Sequence, residues 1–141
     1  MGKLTVERTV WIDASRERVW QAITVAEQLM KWWSDHWEID SLEPGSAIRF
    51  GEPGDLMNAT VETADAPEKF AIRWPPQPEY HNIEIFTIFE LEVENGGTLV
   101  KVTETGFEEL PDDIRQTRFE STSKGYETVL GELKKYVEGE K

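Results

Sequence analysis

The chain has no cysteine and only two histidines among its 141 residues. Without cysteine there is no disulfide, no thiol nucleophile and no thiolate metal site. His36 and His81 are far apart in the sequence, and neither shows the spacing of a metal-ligand motif. We therefore expect no metal site and no cofactor.

Basic residues and long apolar segments are also scarce. Lysine and arginine number 15 against 28 aspartate and glutamate residues, which gives a formal net charge of -13. This charge repels nucleic acids and anionic lipid head groups, so we expect neither a nucleic acid nor a membrane as partner. The N-terminus has no apolar signal core, and no stretch approaches transmembrane length, so a cytoplasmic location is expected.

Aromatic residues, by contrast, are plentiful, with six Trp, six Phe and three Tyr. Trp32, Trp33 and Trp37 fall close together after a short predicted helix. Buried indole N–H groups need hydrogen-bond partners, so such a cluster has consequences for its surroundings. Two hypotheses follow: a hydrophobic plug at the end of the core, or the aromatic wall of a ligand pocket or partner contact.

Alternation of apolar and polar residues predicts seven strands. They span residues 4–13, 37–41, 47–50, 57–63, 70–74, 83–93 and 98–105. The longest, 83–93, places Ile83, Phe89, Leu91 and Val93 on one face. Because short turns such as Asn95-Gly96-Gly97 join most neighbours, we predict an antiparallel meander.

Helical periodicity predicts two short helices after the first strand and one long helix at the C-terminus. Ser15 or Asp13 suits the N-cap of the first short helix, and residues 26–32 form the second. The long helix runs from about Asp112 to Glu138, and its apolar stripe consists of Tyr126, Val129, Leu130, Leu133 and Val137. We expect this stripe to be buried against the sheet face that carries Phe89 and Leu91.

Gly125 and Gly131 lie inside the long helix. Glycine is unfavourable in a helix interior by about 1 kcal/mol relative to alanine. These glycines therefore indicate either close packing and mild fraying, or a bend or close approach over a pocket.

These elements predict an α+β fold in a single domain of residues 1–141. A curved antiparallel sheet of about seven strands packs around the long C-terminal helix, with two short helices after the first strand. The alternation of apolar and polar residues along the strands implies that one face of the sheet is buried and the other is exposed to solvent.

Five short motifs occur in the order found in one known family of small proteins. They are Ile12-Asp13-Ala14-Ser15 followed by Val19-Trp20; Trp32-Trp33; Glu43-Pro44-Gly45; Gly97-Thr98-Leu99-Val100; and Gly125-Tyr126 followed by Leu130 and Leu133. With them the chain resembles the Aha1 C-terminal-like family (activator of Hsp90 ATPase homologue) of the SRPBCC, or Bet v 1/START-like, superfamily. Ser46 stands where the second glycine of the turn motif usually lies, and Tyr126 replaces a tryptophan. The resemblance covers nearly the whole chain.

The resemblance implies a helix-grip fold, in which a seven-stranded sheet curves around the C-terminal helix and leaves a cavity between them. In the superfamily that cavity often holds a hydrophobic small molecule. The eukaryotic co-chaperone also has a separate N-terminal domain, which this sequence does not contain.

Three function classes follow. The leading hypothesis is non-catalytic binding of a small hydrophobic or amphipathic ligand in the cavity between the sheet and the long helix. The alternatives are a chaperone-related protein-interaction module like the Hsp90 activator, and a cyclase-type enzyme. For an enzyme, acid–base chemistry by His81 or a buried carboxylate such as Glu104 is conceivable, but no nucleophile–base pair is visible.

The predicted ligand site is mainly aromatic. Aromatic walls suit flat or apolar ligands, and Arg73 or Arg49 would orient an acidic group of the ligand unless it pairs with a surface carboxylate instead. The predicted ligand-binding residues are Trp32, Trp33, Trp37, Phe50, Arg73, Trp74, Phe89 and Tyr126.

Overall fold

The computed structural model describes residues 5–33, 36–52, 54–74, 76 and 83–139, apart from the side chains of residues 52 and 55. Within these residues, seven strands, three α-helices and a 3-10 turn follow one another. They are β1 Val6–Ile12, α1 Arg16–Thr24, α2 Ala26–Trp32, β2 His36–Ile39, β3 Ala47–Glu52, β4 Asp55–Asp65, β5 Lys69–Trp74, β6 Ile85–Glu94, β7 Gly97–Thr105, the 3-10 turn Phe107–Glu109 and α3 Asp112–Gly139.

The strands form one antiparallel sheet in the order β1-β7-β6-β5-β4-β3-β2. From β2 to β7 each strand pairs with its neighbour in the sequence, and β1 joins beside β7. At the β6–β7 turn Asn95 and Gly96 have φ angles of 49° and 78°, as the tight hairpin turns favoured by Asn-Gly require. The predicted α+β fold, with a curved sheet around a long C-terminal helix, is confirmed.

The inner face of the sheet carries the core. On β6 the side chains of Ile85, Thr87, Phe89 and Leu91 are all buried. Val93, which was predicted to share that face, is 67% exposed. It lies at the hairpin end of β6, next to the turn, where the alternating pattern of the strand no longer predicts burial.

A side-chain hydrogen bond caps the first short helix, and another joins the two short helices. Ser15 accepts a hydrogen bond from the backbone N–H of Arg18 at 3.2 Å, so Ser15 rather than Asp13 is the N-cap of α1. The indole Nε1 of Trp32 donates to the carbonyl oxygen of Ala22 at 2.9 Å, which ties α2 to α1. Residues 26–32 form α2 as predicted.

Helix α3 is continuous through both of its internal glycines. Its buried residues are Tyr126, Leu130, Leu133 and Val137, whereas Val129 of the predicted stripe is only half-buried. A Cβ added at Gly125 or Gly131 would meet no atom within 4 Å outside its own stretch of helix. Close packing therefore does not explain these glycines, and the first of them borders a cavity.

Candidate functional site

A cavity of about 250 Å³ lies between α3 and the inner face of the sheet. Helix α3 forms one side of it, β3 to β7 form the opposite side, and the segment between β7 and α3 closes one end. The lining residues are Trp33, Phe50, Met57, Trp74, Ile85, Glu104, Phe107, Leu110, Arg118, Thr122, Gly125, Tyr126 and Val129. Most of these side chains are apolar or aromatic, and Arg118 and Gly125 are exposed on the helix side.

Trp33 is the centre of the aromatic wall. It follows α2 directly, and its ring meets aromatic rings contributed by the sheet, by α2 and by α3. The ring centroids lie 5.1 Å from Trp37, 5.5 Å from Trp32, 5.8 Å from Phe89, 6.1 Å from Tyr126 and 6.2 Å from Phe50. Edge-to-face and tilted contacts at these distances are favourable for aromatic pairs.

The aromatic wall extends along the sheet from Phe50 to Trp74. Phe50 on β3 lies 4.9 Å from Trp74 on β5 and 4.7 Å from Trp37 on β2, measured between ring centroids. Because side chains alternate between the two faces of a strand, the register of these three strands places all three rings on the inner face.

The structure brings four of the eight predicted site residues to the cavity itself: Trp33, Phe50, Trp74 and Tyr126. Three more, Trp32, Trp37 and Phe89, contact Trp33 from behind and do not border the cavity. The tryptophan cluster thus combines the two hypotheses, since one ring lines the cavity and its neighbours fill the core around it.

Arg73 is not brought to the cavity. It precedes Trp74 on β5 and therefore points to the outer face, where its guanidinium pairs with the carboxylate of Glu84. Arg49 also lies in an ion-pair cluster, with its nitrogens 3.0 Å from Glu38 and 2.9 Å from Asp40. Hydrogen bonds from His36 and Arg49 lower the pKa of Glu38.

Three of the lining residues, Trp74, Glu104 and Tyr126, are connected by hydrogen bonds in which Thr87 takes part, although Thr87 itself does not line the cavity. The indole Nε1 of Trp74 donates to Thr87 Oγ1 at 2.8 Å, and Thr87 Oγ1 donates to Glu104 Oε2 at 2.5 Å. The hydroxyl of Tyr126 on α3 donates to the same carboxyl oxygen. Three strands and the long helix therefore meet at Glu104.

Glu104 is only 9% exposed. Burial raises the pKa of its carboxyl group, and the hydrogen bonds from Thr87 and Tyr126 lower it only in part. The site therefore favours the neutral carboxylic acid more than water does. A group of this kind is able to orient a ligand by hydrogen bonding, and its altered pKa is a common property of functional sites.

Sequence reasoning missed several lining residues, and some of them had a signal. Arg118, Thr122, Gly125 and Val129 are spaced four, three and four residues apart, so they form one helical stripe beside the apolar one. Phe107 and Leu110 had no such signal, because the irregular segment after β7 has no periodicity. Glu104 interrupts the apolar alternation of Val100 and Val102, yet it was named only as a hypothetical acid–base group.

Other kinds of site find little support. In the part of the chain that the structure describes, no three or more His, Asp or Glu side chains converge as metal ligands. His36 lies 2.5 Å from Glu38 in the ion-pair cluster of the outer face, and His81 lies outside the described residues. None of the described helices has both the length and the apolar character needed to cross a membrane.

Comparisons with known proteins agree with this fold. A family model, described as activator of Hsp90 ATPase homolog 1-like protein (AHSA1), matches residues 13–138. No curated protein matches the sequence significantly.

Several solved structures are similar in fold. Protein MLL2253 from Mesorhizobium loti superposes with a TM-score of 0.79 at 16% identity, over 95% of this chain and 96% of that one. Protein BH1534 from Bacillus halodurans has a TM-score of 0.77 at 18% identity, over 97% and 99% of the two chains. The Aha1 dimer from Colwellia psychrerythraea has a TM-score of 0.74 at 24% identity, over 94% and 95%. At such identities the likeness establishes the fold.

Proposed function

The chain belongs to the family of activator of Hsp90 ATPase homolog 1-like proteins, and from its cavity we propose that it binds a small hydrophobic or amphipathic molecule, without catalysis, between the sheet and α3. The family resemblance predicted from the five motifs is thereby confirmed. The ligand-binding role is the step that we add to it.

One observation carries the proposal: mainly aromatic and aliphatic side chains line about 250 Å³ of space that the protein itself does not fill. Protein interiors are close-packed and seldom contain voids larger than a water molecule. The volume is near the lower end of the range for small-molecule pockets, and an apolar wall with a few polar groups is their usual composition. A flat apolar molecule that fills this space would gain the free energy of apolar burial, about 25 cal/mol per Å².

The aromatic residues divide into two roles under this proposal. Trp33, Phe50, Trp74 and Tyr126 touch the ligand, since they border the cavity. Trp32, Trp37 and Phe89 hold Trp33 in place through ring contacts. Gly125 keeps the helix side open, because any larger side chain there would stand at the cavity.

The test is a titration with the neutral apolar dye N-phenyl-naphthylamine, whose emission rises in apolar surroundings. The Gly125→Phe variant places a ring at the cavity, and Gly131→Phe is the matched control on the same helix. A Cβ added at either position would meet no neighbouring atom within 4 Å, but only Gly125 borders the cavity. We expect saturable binding that Gly125→Phe weakens by about tenfold or more, corresponding to about 1.4 kcal/mol, while Gly131→Phe leaves it within about twofold.

Two results would contradict the proposal. A flat titration of the unmodified protein would mean that the cavity does not accept apolar molecules of this size. Equal weakening by both phenylalanine variants would mean that the dye binds elsewhere on α3. Trp33→Ala provides a second check, because it removes the central ring of the wall and should also change the dye affinity.

The family match favours a second candidate function, a protein-interaction module that stimulates the ATPase of an Hsp90-type chaperone. The test is the ATPase rate of purified Hsp90 with and without this chain. A rate that rises saturably with the amount of chain supports this candidate. An unchanged rate eliminates it and leaves the ligand-binding proposal as it stands.

A further inference from the structure

We infer that the ligand is an amphipathic anion, whose acidic head group pairs with Arg118 at the mouth of the cavity while its apolar body lies among the aromatic rings. The mouth is the side on which the lining residues are exposed to solvent. This inference rests on the proposed ligand-binding function. It adds the charge of the ligand and the direction in which the ligand lies.

The mouth lies along the first half of α3. Arg118 and Gly125 line the cavity there and are exposed, and Thr122 between them is half-buried. Their spacing of four and three residues places them on one side of the helix. On the sheet side, Trp74 and Glu104 line the cavity and are buried. A bound molecule therefore has one end near solvent and the other against the sheet.

Arg118 is the one cation among the described residues that line the cavity. A guanidinium has five N–H donors in a planar fork, and this fork matches the geometry of a carboxylate. An arginine side chain can also lay its apolar stem along an apolar wall and keep its charged end in water. An acidic head group beside Arg118 would thus stay hydrated and avoid the large cost of burying a charge.

The sheet end of the cavity is a poor place for that charge. Its polar side chains bind one another, because Trp74 donates to Thr87, and Thr87 and Tyr126 both donate to Glu104. A ligand carboxylate placed there would be buried next to a carboxyl group that already has its donors. Tyr126 follows Arg118 by eight residues, about 12 Å along the helix axis. That length accommodates an apolar body between the two polar ends.

The sign of the local charge sets the preference. A cationic ligand would bring its ammonium group beside the guanidinium of Arg118, and like charges in contact disfavour a wrong partner. The whole chain carries a formal net charge of -13, which disfavours an anion at long range. A preference for an anionic ligand therefore has to come from a local contact, and Arg118 provides one.

The test is displacement of N-phenyl-naphthylamine by three probes that share one alkyl chain: decanoate, decanol and decylammonium. At about pH 7.5 the acid is ionised and the amine is protonated. The measured quantity is the ratio of the decanoate affinity to the decanol affinity. Arg118→Gln should lower this ratio by about three- to tenfold, between the usual effects of an exposed ion pair and of a hydrogen bond to a charged group.

Two further variants separate a local contact from a general effect of charge. Lys124→Gln removes the same charge from the same helix, but Lys124 is exposed and does not line the cavity, so the ratio should stay within about twofold. Arg118→Glu should make decylammonium bind more tightly than decanoate. Lost packing alone does not produce such a reversal, and the exposed position makes unfolding by either Arg118 variant unexpected.

The outcomes distinguish this inference from the function on which it rests. If the dye itself does not bind, the ligand-binding function fails and the inference fails with it. If the dye binds but decanoate does not displace it, the anionic ligand is overturned and the function stands. The same conclusion follows if Arg118→Gln leaves the ratio unchanged, if Lys124→Gln lowers it equally, or if Arg118→Glu still favours decanoate.

Discussion

The two halves of helix α3 differ in what lies beneath them. From residue 112 to residue 125 no side chain is buried, whereas Tyr126, Leu130, Leu133 and Val137 in the second half are buried against the sheet. The cavity lies under the junction, where Arg118, Thr122 and Gly125 replace large apolar residues. One regular helix thus closes the core at one end and leaves space at the other.

We attribute the cavity to the side chains that α3 presents to the sheet rather than to a break in its backbone. The helix runs without interruption through Gly125. Where the helix presents Leu130, Leu133 and Val137, the space between the layers is filled. Where it presents threonine, arginine and glycine, the aromatic rings of the sheet face a void.

The largest loss of stability is expected in the second half of α3, where the side chains are buried against the sheet. Leu130→Ala should lower the free energy of unfolding by about 2–5 kcal/mol, because Leu130 is 2% exposed and the change leaves a void in packed surroundings. Thr122→Ala, on the cavity side, should stay within about 0.5 kcal/mol of the unmodified protein. Denaturant melts measure both, and a loss below about 0.5 kcal/mol for Leu130→Ala would remove the distinction between the halves.

Glu104, beneath the junction, should make stability depend on pH. Because its pKa is raised on folding, the stabilisation from its neutral form is fully present below the unfolded pKa and is lost as the pH rises through the folded pKa. Glu104→Gln should therefore show a smaller decline in unfolding free energy from about pH 5 to about pH 9 than the unmodified protein. Parallel declines in denaturant melts across this range would show that Glu104 does not carry the effect.

Gly125 and Gly131 allow the same glycine-to-alanine substitution to be compared at two places along α3. Gly125→Ala and Gly131→Ala should each raise the unfolding free energy by about 0.4–1 kcal/mol, because alanine favours the helix and its Cβ meets no neighbour at either position. Equal gains in thermal melts would show that the helix itself is uniform. A loss at Gly125 alone would instead indicate a backbone conformation there that alanine does not tolerate.

The smallest effect is expected on the face that α3 does not cover. Arg73→Ala should cost less than about 1 kcal/mol, since its ion pair with Glu84 is exposed to solvent, with 44% and 39% of the side chains accessible. It should leave the affinity for the naphthylamine dye unchanged, because Arg73 lies on the outer face. A clear loss of dye affinity would place the binding site on that outer face and contradict the cavity assignment.

Much of the fold was predictable from local pattern. The Ala26–Trp32 helix and the start of α3 at Asp112 agree with the structure, because caps, periodicity and proline act over a few residues. The strands were found but not their ends: β4 runs over Asp55–Asp65, beyond the predicted 57–63. Strand ends depend on pairing with a neighbour, which a single sequence does not specify.

The candidate site was predictable only in part. Strand alternation alone places Arg73 opposite Trp74, so these neighbours were never able to face the same cavity. The distinction between Trp33, which lines the cavity, and Trp37, which lies behind it, required the rotation of the loop after α2 relative to the sheet. No local pattern contains that information.

The sequence by itself determined the elements, their antiparallel order and the family, because periodicity, turn residues and short motifs are properties of neighbouring residues. Only the tertiary structure decided that a cavity exists and that Glu104, Trp74 and Tyr126 meet in its wall, linked by hydrogen bonds in which Thr87 takes part. A cavity is the difference between the space enclosed by two layers and the volume of the side chains that enter it. That difference depends on how residues far apart in the chain meet, and so it arises only when helix and sheet are brought together.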